Sequence, residues 1–225
     1  NGYNMLGRET FLTPISFQGE QPIFNPGIGR VLMEDKFPNL PESPVALLPA
    51  RDDFDTDSLR FCWNFLRTPF ERWYELKNSR LYINLRPQKA TELVNPSLIA
   101  RRVEDHRFKA ITSMNFKPSS VNEEAGMIIM QNDRFQYRLV LVGKGKTPQE
   151  LCLILVKDGN EEILARVPYK INEVVLAVQG DGLKYSFLYG TSEDQLEFLG
   201  KDVVRMLPKD SLALLLECMP AAMGR

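Results

Sequence analysis

The 225 residues include 44% hydrophobic and 25% charged side chains, enough apolar material for one large domain or for one domain with an appendage, and too much for a disordered or fibrous chain. With 28 Lys and Arg against 29 Asp and Glu the net charge is −1, so the positive field that draws nucleic acid or anionic lipid is missing. The three cysteines, Cys62, Cys152 and Cys218, form no CxxC pair, which excludes a disulfide scaffold and a cysteine-built zinc site, and no apolar run approaches the ~20 residues of a membrane span.

Residues 1–50 are punctuated by Pro14, Pro22, Pro26, Pro38, Pro41, Pro44 and Pro49 and by Gly19, Gly27 and Gly29, which prevents a regular helix of more than a turn or two. They still carry Phe11, Phe17 and Phe24. That apolar surface predicts an extended segment packed against another body. The composition changes at Arg51-Asp-Asp-Phe-Asp-Thr-Asp. Here Asp53, Asp55 and Asp57 alternate, and in an extended strand three carboxylates would share one side, as an oxygen-seeking cation such as calcium requires. The distal Glu and the Gly of a helix–loop–helix calcium site are absent, and a solvated strand edge is the alternative. Trp63, Trp73 and Tyr74 come next, within a short stretch. Exposed, they would stack on sugar rings; buried, they would fill a core.

From Leu81 onward the apolar period is two. Phe108, Ala110, Thr112, Met114 and Phe116 alternate with more polar residues, as do Phe135, Tyr137, Leu139 and Leu141, and Leu183, Tyr185, Phe187 and Tyr189; each set predicts a half-buried strand. The short continuous apolar runs 125–130, 151–156 and 174–178 predict central strands. Asp158-Gly159-Asn160 and Gly180-Asp181-Gly182 sit between runs at hairpin spacing. Only residues 97–105 suit helix and strand equally. The fold class is all-β, an antiparallel β-sandwich, preceded by an extended N-terminal segment.

Catalytic patterns are missing. Glu123-Glu124 and Glu161-Glu162 are adjacent rather than alternate, so in a strand each pair splits between faces, and glycoside hydrolysis needs two carboxyls flanking one bond. All four are expected to be solvated turn charges, as is Glu193-Asp194. His106 is the single histidine, with no nucleophile elbow or protease signature in the chain. Gly27-Ile-Gly29 lacks the third glycine of a dinucleotide loop.

Taken in order, Leu6-Gly7-Arg8-Glu9-Thr10-Phe11-Leu12-Thr13-Pro14-Ile15 and Gln21-Pro22-Ile23-Phe24-Asn25-Pro26-Gly27 resemble the segment that leaves the catalytic five-bladed propeller of glycoside hydrolase family 43 β-xylosidases. Phe17 stands where that family has Trp. The rest of the chain is similar to the family's C-terminal concanavalin A-like jelly roll: Asp53-Phe54, Leu59, Trp63, Leu66-Arg67-Thr68-Pro69, Tyr74, Leu81-Tyr82-Ile83-Asn84-Leu85-Arg86, Ala100-Arg101-Arg102-Val103 and Ala125-Gly126-Met127. The resemblance implies that residues 1–50 are the exit of a catalytic domain and linker, with residues 51–225 the sandwich. It also implies that the general base, the pKa-modulating Asp and the general acid lie in the propeller, so this chain contributes no catalytic residue and needs no cofactor. The implied partners are that propeller, through Phe11, Phe17 and Phe24, and through it a xylo- or arabino-oligosaccharide. The implied parent is a bacterial periplasmic or secreted enzyme, or a cytoplasmic one. An independent carbohydrate-binding, lectin-like module is the alternative function.

The end departs from the family. Leu212-Ala-Leu-Leu-Leu-Glu-Cys-Met-Pro-Ala-Ala-Met-Gly-Arg225 matches nothing in it. With third codon positions free, the last base of Leu212 joined to the first two of Ala213, and so on, spells Gly-Phe-Val-Ala-Gly-Met-Tyr-Ala-Arg-Ser-Asn-Gly, which resembles the family ending. The expectation is a shifted frame near residues 207–212.

Overall fold

A computed structural model describes residues 10–44, 49–145, 147–182, 184–203 and 213–220. Two compact units divide the chain, one of Arg8–Ala50 and one from Arg51 onward.

The first unit contains a hairpin, β1 (Ile15–Gln18) and β2 (Gln21–Phe24), closed by a two-residue turn in which Gly19 takes φ 60°. Asn25, at φ 47°, donates its backbone N–H to the Pro14 carbonyl at 2.7 Å and its side-chain amide to the Arg30 carbonyl at 2.7 Å, fixing the exit of the hairpin. The segment expected to be extended is thus folded back on itself. Pairing two short strands satisfies backbone groups that a single extended chain would leave to water.

The second unit is built from β3 (Asn64–Phe65), β4 (Tyr74–Leu76), β5 (Leu81–Ile83), β6 (Leu98–Arg102), β7 (Arg107–Asn115), β8 (Glu123–Asn132), β9 (Phe135–Lys144), β10 (Thr147–Lys157), β11 (Asn160–Pro168), β12 (Glu173–Asp181), β13 (Lys184–Gly190), β14 (Leu196–Val203) and β15 (Ala213–Pro220). One sheet has seven strands in the order β11-β10-β9-β8-β15-β6-β3 and another has four, β14-β13-β12-β7, while β4 and β5 form a separate hairpin. All these pairings are antiparallel.

The period of two decides which side chains meet. Met127 and Ile129 of β8, Tyr137, Leu139 and Leu141 of β9, and Leu151, Leu153 and Leu155 of β10 face Val174, Leu176 and Val178 of β12 and Tyr185 and Phe187 of β13, forming the core between the sheets. Alternate residues of the seven-stranded sheet are apolar as well: Leu98, Ala100, Ile128 and Met130 pack with Ala90 and Leu66, and Val140 packs with Cys152 and Ile154. Burial on both faces explains why 125–130 and 151–156 read as unbroken apolar runs. Residues 98–102, ambiguous in sequence, become a strand because they pair on both sides, with β3 and with β15. At Asp158 (φ 54°) and Gly159 (φ 82°) both turn residues have positive φ, the type I′ geometry that matches the twist of β10 and β11.

Candidate functional site

The aromatic stretch folds into the β3 end of the sandwich, in two groups. Trp73 is 1% exposed. Phe65 and Tyr74 meet its ring edge-on at 5.5 and 5.7 Å between centroids, and the Arg86 guanidinium lies 5.8 Å from the ring centroid. Its indole N–H donates to Asn95 Oδ1 at 2.9 Å, and Asn95 Nδ2 donates in turn to the carbonyls of Leu66 and Arg67 at 3.0 and 3.1 Å. Arg67, at φ 66°, donates to the carbonyls of Glu92 and Val94 at 3.1 and 2.9 Å. One buried amide therefore ties three separate loops together.

Trp63 forms the second group with Phe54, at 5.6 Å between centroids. Its indole N–H donates to Asp52 Oδ2 at 2.7 Å, and the other oxygen of Asp52 accepts the Phe54 N–H at 3.0 Å. Arg60 approaches the same carboxylate at 3.7 Å.

These contacts bear on two alternatives that the sequence leaves open. Trp73 and Tyr74 offer no free stacking face: Trp73 is core, and Tyr74 is covered by Phe65 and by Arg72, whose guanidinium lies 5.1 Å from the ring centroid. Trp63 is half-buried against Phe54. The row of Asp53, Asp55 and Asp57 does not form either, because Phe54 takes φ 54° and breaks the extended alternation that would have aligned the carboxylates. Asp53 instead pairs with Arg51 at 2.7 Å and Asp55 approaches Arg60 at 3.7 Å. Among the described residues no three acids, histidines or cysteines gather as metal ligands would.

Glu123-Glu124 and Glu161-Glu162 lie on strands, β8 and β11, while Glu193-Asp194 lies in a turn. Glu124 of β8 and Glu161 of β11 reach Arg138 of β9 from opposite sides, at 3.4 and 3.0 Å. Arg138 is 3% exposed at its side chain and Glu124 is 16%. Burial raises the Glu124 pKa, and the Arg138 charge opposes the rise. A guanidinium between two carboxylates ion-pairs with both and offsets part of their charge, so this group holds the sheet rather than flanking a bond to be cut. His106 is exposed at the start of β7 and its carbonyl accepts the Gly182 N–H at 3.0 Å. Burial lifts the Cys152 thiol to about 11, which leaves it an unreactive core residue.

In the hairpin unit Phe11, Phe17 and Phe24 are 45%, 65% and 59% exposed, and Phe37 is almost wholly so. On the sandwich, Phe61 and Phe70, which flank β3 in the sequence, are fully exposed. Sequence reading misses Asp52 and Asn95, the two side chains that hold the tryptophans. Their signal is weak, since Asp52 sits in an acidic run and Asn95, in Val-Asn-Pro, reads as a turn.

Two antiparallel sheets packed face to face, one end closed by buried aromatics, define the class of concanavalin A-like β-sandwiches. Residues 51–211 match the family model of the β-xylosidase C-terminal concanavalin A-like domain, and the chain belongs to that family of glycoside hydrolase family 43 domains. It is 30% identical over 190 residues to a non-reducing end α-L-arabinofuranosidase of Bacteroides ovatus, covering 82% of this chain and 35% of that protein. A xylosidase/arabinosidase of Butyrivibrio fibrisolvens is 32% identical over 144 residues, 62% of this chain and 28% of that one. Among solved structures, the Bacteroides ovatus xyloglucan PUL GH43B superposes with a TM-score of 0.88 at 25% identity, over 96% of this chain and 44% of that one. A xylan β-1,4-xylosidase of Bacillus halodurans, at 22% identity and a TM-score of 0.85, shares the fold over 97% of this chain and 45% of its own. The chain thus spans about a third of the length of the curated relative from Bacteroides ovatus.

Proposed function

We propose that this domain is an accessory part of a longer family 43 glycosidase, docking on a catalytic propeller and shaping the pocket in which a xylo- or arabino-oligosaccharide is cleaved. The observation that carries the reading is the hairpin unit, which holds Phe11, Phe17, Phe24 and Phe37 out to water within one short stretch of chain. An apolar surface of that kind is an interface without its partner. The commitment of Glu124 and Glu161 to Arg138 supports a shape-giving role over a catalytic one. A free-standing carbohydrate-binding module is less well supported, because the stacking faces of Trp73 and Tyr74 are occupied.

The test is hydrolysis of nitrophenyl-xyloside and nitrophenyl-arabinofuranoside by this chain alone, by a family 43 catalytic propeller alone and by the two fused in that order. The isolated chain is expected to show no turnover, and the fusion to exceed the propeller alone. Turnover by the isolated chain, or a fusion no more active than the propeller, overturns the assignment.

A further inference from the structure

Sheet edges differ in how they are protected. In the seven-stranded sheet, β3 has only two residues, too short to template another strand, and β11 carries Glu161, Glu162 and Arg166, pairs with β10 through a register shift and ends at Pro168. In the four-stranded sheet, β14 pairs with β13 through a register shift between Phe187 and Leu188 and carries Glu197. Short length, bulges, prolines and charge are the usual devices that stop an edge from pairing with another chain.

The remaining edge, β7, is guarded only by charge, at the exposed Arg107 and Lys109. Its nine residues pair with β12 without any register shift, from Arg107↔Asp181 to Asn115↔Glu173, and contain no proline or acid. Among the described residues no strand lies on its other side, so the N–H and C=O of every second residue of β7 point away from the sheet.

We propose that β7 is a dimerisation edge, pairing antiparallel with β7 of a second copy across a two-fold axis at Ile111. The strand is complementary to itself in that register. Ile111 meets Ile111, Phe108 meets Met114, Ala110 meets Thr112, Lys109 meets Ser113 and Arg107 meets Asn115, so Ile111, Phe108 and Met114 meet apolar partners and no like charges stand opposite each other. Phe108, Ala110 and Met114 lie on the core face and are only partly buried. On the outer face Ile111 stands in register with Ala177, which faces Leu188, which faces Phe198; the row is apolar across all four strands, with Phe198 at one end and Ile111 at the other. Pairing would carry this row unbroken into an eight-stranded sheet and complete the burial of Ile111. A protein partner of another kind would not reproduce that symmetry.

Sedimentation velocity and light scattering of the 225-residue chain across the micromolar range are expected to show a dimer. Ser113 is exposed, and S113K sets a lysine opposite the second copy's Lys109 at two symmetric places, so the dissociation constant should rise about tenfold. Adding K109E to S113K turns both contacts attractive and should restore the dimer. Circular dichroism melts of both variants check that the sandwich remains folded. A monomer throughout the range, a dimer indifferent to S113K, or failure of K109E to rescue it each overturns the proposal.

Discussion

At Asn95 a single side-chain amide accepts two hydrogen bonds, from the Trp73 indole at 2.9 Å and the Arg86 guanidinium at 3.4 Å, and donates two, to the carbonyls of residues 66 and 67. Its partners lie 9 to 29 positions earlier in the chain, which is why an asparagine before a proline reads as an ordinary turn residue. Replacing it leaves a buried donor and two carbonyls unpaired, so Asn95→Ala is expected to cost about 2–3 kcal/mol in urea unfolding. A loss below about 1 kcal/mol would show that Asn95 is not the tie. The tryptophans are legible as residues but not as roles: aromatic content marks a core and a sugar platform alike, and only the positions of Phe65, Arg72 and Arg86 separate the two. Arg138 makes an electrostatic prediction. Glu124 is harder to ionise folded than unfolded, where its value is near 4.5, so its contribution to stability falls as pH rises from that value toward the raised folded one. Arg138 limits that fall. Arg138→Met should therefore cost about 3–5 kcal/mol at pH 7 and clearly less at pH 4, below the unfolded value, where Glu124 is mostly protonated in both states. Equal losses at the two pH values would refute the role given to the pair.

Strands are the most legible elements, because a period of two that is buried on one face leaves little freedom of register. β7, β9 and β13 follow the alternation of Phe108, Tyr137 and Tyr185, and the turn at Asp158-Gly159 closes β10 onto β11. Short strands without alternation, β3 and β4, are not legible. The strand β15 is a different case. Its backbone lies between β6 and β8, and position 217 is in register with Leu98 on one side and Gly126 on the other, both buried. The family match stops at residue 211, one position before the sequence departs. The end of the family match supports the proposal of a shifted reading frame. Sequencing the DNA across codons 207–212 is expected to reveal a one-base insertion or deletion, and an undisturbed frame there would remove the hypothesis.

For the whole molecule, the order of residues supplies the family. Near-neutral charge suits a domain whose proposed ligand is an uncharged sugar and whose proposed neighbour is protein. The hairpin of the Arg8–Ala50 unit is hidden in the sequence behind its prolines, since Pro22 sits inside β2, a position that an outer strand tolerates. The order of the large sheet sets a sequence in time as well as in space. β15 is the last described strand along the chain and yet occupies an inner position, separating β8 from β6. During synthesis β6 and β3 have no place in that sheet until residues 213–220 have emerged, and two unpaired strand edges stay open meanwhile. Non-local pairing of this kind folds slowly and exposes the chain to aggregation, so yield in expression should depend on how quickly that one strand arrives.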